Sequence, residues 1–211
     1  MRKILLDFRR VRTVTKALLI WYLLDLFFSL IIGVLENEWS LAVYLSIWTV
    51  ICLICYKVKP KFFVVSAFLL AVLEETIVYF LGGGLQGTAT SLLDDYAGSL
   101  PVFLMFILGW WIVLKNYYVD DETLYFHAGL HGFLFEITIP GHLLSLLTVF
   151  LFGGSAFFIY ASIILIPSKP LTIKDGRKAT THHKIIFWIL IAISMILGGI
   201  IATILRTYSK I

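Results

Sequence analysis

The sequence is poor in charged residues. Asp, Glu, Lys and Arg make up 14% of the 211 residues, whereas 60% are hydrophobic. A soluble domain carries roughly a quarter charged residues. Such an apolar excess does not fit one soluble core, because much of the surface of a globule must face water. In a bilayer the outer surface is apolar as well, so the composition predicts an all-α, polytopic integral membrane bundle, a multi-pass protein of the cell membrane.

Other scarce features exclude further classes of protein. The two cysteines, Cys52 and Cys55, lie in an apolar run and do not form a disulfide framework. The glycine-rich run at 82–87 lacks the G-x-x-x-x-G-K-[ST] pattern of nucleotide-binding loops. The net charge of +4 comes from short basic segments between apolar runs. That pattern predicts contact with the bilayer and with anionic inner-leaflet lipids, and no nucleic-acid partner.

Apolar runs long enough to cross a bilayer recur along the whole chain, which we predict to be a single transmembrane domain, 1–211. A spanning helix needs about 20 apolar residues, with a range of about 17–25. We predict seven spans, at 17–35, 40–56, 62–81, 99–117, 121–139, 142–166 and 185–205.

The distribution of basic residues predicts the orientation. The basic N-terminal stretch places the N-terminus in the cytoplasm. If 121–139 spans, the basic loop at 169–184 is also cytoplasmic, and the C-terminus lies outside. If 121–141 is a re-entrant segment instead, that loop lies outside, against the positive-inside rule. The count of seven therefore depends on this segment. Asp94 and Asp95 are expected in an outer polar loop before the fourth span.

Carboxylates inside the predicted spans are the main functional signal. Ionisable groups at membrane depth cost several kcal/mol and are usually functional or paired. Asp25 lies in the first span, and Glu74 and Glu75 lie in the third. Adjacent helical residues differ by about 100° around the axis, so one glutamate of the pair is predicted to be a proton carrier or general base. Tyr79, four residues after Glu75, is placed to donate a hydrogen bond to it.

Two histidines in the fifth span suggest a metal site. His127 and His131 are spaced i, i+4, which puts both imidazoles on one helix face, as two ligands of one divalent metal such as zinc require. Glu136 lies in the same span, near its outer end. Ala128 and Gly132 suit close approach by another helix, within the chain or from a second copy in a homo-oligomer. Within the predicted spans the only Lys or Arg is Lys115, near the end of the fourth, so we expect the partners of the acids in the other spans to be neutral donors, protons, histidines or a metal.

These charges support three functional readings, and the sequence does not decide whether the chain is an enzyme. The first is transport or sensing of protons or a divalent metal. The second is an intramembrane metal-dependent hydrolase, with His127 and His131 holding zinc and a glutamate activating water. Glu74-Glu75 resembles the start of the EExxxR motif of the CAAX-protease family, but Tyr79 replaces the arginine and no FxxxH occurs, so no membership is assigned. The third is a small structural membrane subunit.

Overall fold

A computed structural model describes residues 13–58, 62–81, 89–138, 146–168, 177–178 and 181–209. Within these ranges the chain forms seven helices and one pair of two-residue strands. In chain order they are α1 (Thr13–Glu36), α2 (Ser40–Val58), α3 (Phe63–Phe80), α4 (Leu92–Asn116), β1 (Tyr117–Tyr118), α5 (Asp121–Thr138), α6 (Leu146–Ser168), β2 (Arg177–Lys178) and α7 (Thr181–Ser209).

The predicted all-α membrane bundle is confirmed. Among the described residues, five helices are long and apolar enough to cross a bilayer: α1, α2, α3, α4 and α7. Large apolar side chains on these helices face outward, including Leu23 and Phe27 on α1 and Ile193 and Ile196 on α7. An exposed apolar surface on nearly every helix is expected where the surroundings are lipid. Crossing by α5 and α6, and the orientation, remain predictions.

The fourth helix corrects one expected boundary. α4 begins at Leu92, seven residues before the predicted start at 99, whereas the other described helix ends lie within four residues of the predicted ones. The cause is local, because the Ser91 side chain accepts a hydrogen bond from the Asp94 N–H at 3.1 Å and caps the helix. Acidic residues also suit the positive end of a helix dipole. Asp94 and Asp95 are therefore buried residues of the first turn, not residues of a polar loop.

The helices divide into two compact units. Unit 1 contains residues 1–46 and 120–165, so it includes α1, α5 and most of α6. Its core contains Tyr125, Phe157 and Ala161. Tyr22 of α1 stacks on Phe158 of α6, with ring centroids 4.1 Å apart, and its hydroxyl donates to the Leu45 carbonyl at 3.0 Å. These contacts fix α1 against α6 and the start of α2.

Unit 2 contains residues 47–119 and 166–211, and its centre is the antiparallel pair of α4 and α7. Contacts run along both helices: Asp94 bonds to Arg206, Gly109 packs against Ser194, and Tyr117 lies 4.7 Å from the His183 ring. β1 and β2 pair in parallel, which joins Tyr117 to Arg177 at one end of the unit.

The β1–β2 pair limits how many times the chain can cross the membrane between these two strands. Residues 117–118 and 177–178 lie at the same end of unit 2, and α5 and α6 come between them in the chain. A membrane chain that returns to the side it left has crossed an even number of times. The pairing therefore fits two crossings by α5 and α6, as predicted, and equally none.

Candidate functional site

In unit 1 the backbones of α1 and α6 approach each other closely, and two glycines permit this. A Cβ atom on Gly154 would lie 2.9 Å from the backbone C of Trp21 and the backbone N of Tyr22. A Cβ on Gly153 would lie 2.7 Å from the Trp21 and Phe133 rings. These separations are about 1 Å below ordinary carbon contacts of 3.5–4.0 Å. Only glycine fits at these positions, as is common where membrane helices cross.

Asp25 lies one turn along α1 from this crossing and, among the acids of unit 1 whose side chains the structure describes, is the most deeply buried, with 1% of its surface exposed. Its Oδ2 atom accepts two hydrogen bonds from Ser155 of α6, one from the backbone N–H at 2.6 Å and one from the hydroxyl at 2.8 Å. Its Oδ1 atom is buried and has no hydrogen-bond partner among the described residues. The carboxylate is therefore satisfied on one side only.

The environment of Asp25 is neutral. The hydrogen bonds of its carboxylate come from Ser155, the adjacent Gly154 backbone also acts on it, and no charged side chain in the described ranges does. An ionised carboxylate in a low-dielectric interior is costly unless it is paired. A proton on Oδ1 would remove the charge and leave Oδ2 as a carbonyl oxygen that can still accept from the Ser155 hydroxyl. The arrangement is thus suited to binding and releasing a proton.

The two histidines of α5 lie in the same unit. His131 is buried, and its Nδ1 atom is 2.6 Å from the His127 carbonyl oxygen. A carbonyl only accepts, so Nδ1 carries a proton and donates this hydrogen bond, and the Nε2 atom is buried. No group of three or more His, Cys, Asp or Glu side chains suited to a metal occurs in the part of the chain that the structure describes. The predicted metal role of His127 and His131 remains a prediction.

The twin glutamates of α3 belong to unit 2. Glu74 is buried and Glu75 is half-buried, as expected for adjacent residues on different helix faces. The Tyr79 ring lies edge-on to Phe80, with centroids 5.6 Å apart. A shared site of Glu74 or Glu75 with the histidines of unit 1 remains a prediction. The Glu136 side chain lies outside the described part of α5.

A hydrogen-bonded pair of hydroxyl groups follows the glutamates on α3. The Thr76 hydroxyl lies 2.6 Å from the Val72 carbonyl and 2.6 Å from the Tyr96 hydroxyl of α4. A threonine hydroxyl has one proton, and a carbonyl only accepts, so Thr76 donates to Val72 and receives from Tyr96. This ties α3 to α4 directly after Glu74 and Glu75 in the chain.

Two polar groups were not anticipated from the sequence. Ser155 was overlooked because a serine after two glycines in an apolar run looks like a packing position. Arg206 was placed just beyond the last predicted span, but α7 continues to Ser209. Its Nε and Nη2 atoms donate to Asp94 Oδ1 and Oδ2 at 3.0 and 3.2 Å, and Asp95 also interacts with its charge. The capping pattern Ser91-x-x-Asp94 was a usable signal for the acidic half of this pair.

Comparison with known proteins does not assign the chain to a group: no family model matches it, and neither a curated protein nor a solved structure is significantly similar to it.

Proposed function

We propose that this multi-pass membrane protein moves or senses protons, and that Asp25 is the group that binds the proton. The observation that carries the proposal is the asymmetry of the Asp25 carboxylate. One oxygen is held by two donors from Ser155, and the other is buried without a partner among the described residues. Buried acids near the middle of membrane helices commonly form parts of proton relays.

The same geometry favours a proton over a metal cation. Both groups that surround Oδ2 are hydrogen-bond donors, whose positive ends would face a bound cation. Calcium takes 6–8 oxygen ligands and magnesium demands near-octahedral coordination. At Asp25, Oδ1 is the only carboxylate oxygen left to accept. A proton needs no more than this one atom.

Infrared spectroscopy tests proton binding directly. The wild-type protein in lipid nanodiscs is expected to show a carboxylic-acid C=O band that appears as the pH is lowered. Asp25→Asn removes this band, because the amide resembles the protonated acid and cannot ionise. The asparagine oxygen can still accept from the Ser155 hydroxyl, so this variant is expected to remain folded. Asp121→Asn, at an exposed position on α5, is the matched control and keeps the band.

Proteoliposomes separate transport from sensing. If the chain transports protons, a pH gradient drives proton flux into wild-type liposomes, and Asp25→Asn abolishes the flux while Asp121→Asn retains it. A band that titrates without any flux identifies a sensor. A folded Asp25→Asn variant that keeps both the band and the wild-type flux would refute the assignment.

A further inference from the structure

The hydrogen bond between Ser155 and Asp25 involves the backbone of α6 in the interior of the helix. In a regular α-helix the N–H of Ser155 bonds to the carbonyl four residues earlier. Here it donates to a carboxylate of another helix at 2.6 Å, which is shorter than an ordinary N–H···O bond of 2.9–3.0 Å. A side chain that enters the backbone hydrogen-bond ladder is one of the few recognised causes of a bend in a helix.

The residues just before Ser155 permit a change of bend. Gly153 and Gly154 place no Cβ against α1, and glycine adopts a wider range of backbone angles than any other residue. Glycine and serine together are a second recognised cause of helix kinks. Two glycines and a backbone N–H that bonds to a side chain thus coincide over three consecutive residues, 153–155, at the level of the buried acid.

We propose that Asp25 and Ser155 form a proton-dependent hinge in α6. The ionised carboxylate holds the Ser155 N–H, and it keeps the backbone ladder of α6 open at this point. When Asp25 takes up a proton, Oδ2 loses its charge and becomes a weaker acceptor. The Ser155 N–H then returns to the ladder, and α6 changes its bend at Gly153 and Gly154. The inference rests on the proposed function, because it requires Asp25 to bind a proton.

The proton sensitivity of the hinge is assigned to Asp25 because no other titratable side chain described in unit 1 acts on its carboxylate. The interactions of its carboxylate within the described ranges come from Ser155 and the Gly154 backbone. Besides Asp25, the titratable side chains that the structure describes on the helices of unit 1 are Lys16, Tyr22 and Glu36 of α1, Tyr44 of α2, Asp121, Glu122, Tyr125, His127 and His131 of α5, and Tyr160 of α6. Of these, Tyr22 donates to Leu45 and His131 to the His127 carbonyl, and none acts on Asp25.

Selective isotope labelling gives a direct test. The sequence contains two Gly-Ser pairs, Gly98-Ser99 and Gly154-Ser155. Full-length protein with carbonyl-¹³C glycine and ¹⁵N serine, in nanodiscs, therefore gives two amide signals selected by their carbon-nitrogen coupling. Ser155→Ala assigns them. Ser99 lies in α4 of unit 2 and is the internal control.

The hinge predicts a specific pattern on lowering the pH. The Ser155 amide proton moves upfield as its acceptor loses charge, and the Gly154 carbonyl carbon shifts with the backbone, while Ser99 is unchanged. In Asp25→Asn both signals stay at their low-pH positions. If Ser155 and Gly154 do not respond although the Asp25 infrared band titrates, the hinge is refuted and proton binding stands. If they respond equally in Asp25→Asn, Asp25 is not the trigger, and the hinge as proposed is refuted.

Discussion

Gly198 and Gly199 offer a controlled measurement of how α4 and α7 pack. A Cβ on Gly198 would lie 2.6 Å from the Val102 Cα and 2.8 Å from the Pro101 carbonyl oxygen, both backbone atoms of α4. A Cβ on Gly199 would meet nothing within 4 Å. Carbon atoms pack at about 3.5–4.0 Å, so Gly198→Ala must separate the helices by roughly 1 Å. Overpacking of this kind costs about 1–3 kcal/mol.

Gly199→Ala is the control for the main complication, which is that alanine stabilises a helix more than glycine does. Alanine stabilises a helix by about 1 kcal/mol relative to glycine, and this gain applies equally at both positions. The stability difference between Gly198→Ala and Gly199→Ala therefore isolates the packing effect, about 1–3 kcal/mol in favour of Gly199→Ala. Thermal unfolding of both variants in one detergent, followed by circular dichroism, measures it. A Gly198→Ala variant that unfolds at or above the temperature of Gly199→Ala would show that the helices are not in this contact.

Three further predictions concern polar groups. Arg206→Met leaves the buried Asp94 without its cation and is expected to lower the unfolding free energy by about 3–5 kcal/mol. Asp94→Asn leaves a partly exposed arginine that water reaches, and it is expected to lower the unfolding free energy by only about 1–2 kcal/mol. Equal losses for the two variants in denaturant titrations would contradict this asymmetry. Ser91→Ala removes the cap of α4 and is expected to cost about 1 kcal/mol in the same titrations, and no loss would argue against the cap. If His127 and His131 hold zinc, elemental analysis finds stoichiometric zinc in purified wild-type protein and none in His131→Ala. If the wild-type protein contains no zinc even when zinc is supplied during purification, the metal prediction is wrong.

The fold was predictable from the sequence because the length and apolarity of a membrane helix are local properties. Runs of about 20 apolar residues located the helices, and the burial of Asp25 followed from its place within such a run. The start of α4 was missed because polar residues before an apolar run resemble a loop. There, a serine cap and two acids extend the helix instead.

The partners of the acids were harder to predict. Ser155 lies 130 residues after Asp25, and Arg206 lies 112 residues after Asp94. Neither partnership leaves a local pattern, because each depends on which helices come together. The hydrogen bonds of Asp25 could therefore be identified only from the packing of unit 1. The presence of a buried acid could be predicted from the sequence alone.

The distance in sequence between Asp94 and Arg206 has a consequence for biogenesis. A chain is made from its N-terminus at about 5–20 residues per second, so 112 residues separate the two groups by roughly 6–22 s. During that interval α4 is complete before Arg206, the cation that bonds to Asp94 in the finished fold, has been made. Ionisable groups at membrane depth are costly, so the acids of the first turn of α4 are more stable once α7 has brought this arginine to them. Insertion of α7 is thus the step that completes unit 2, and a ribosome stalled before it would expose an acidic helix end to surveillance.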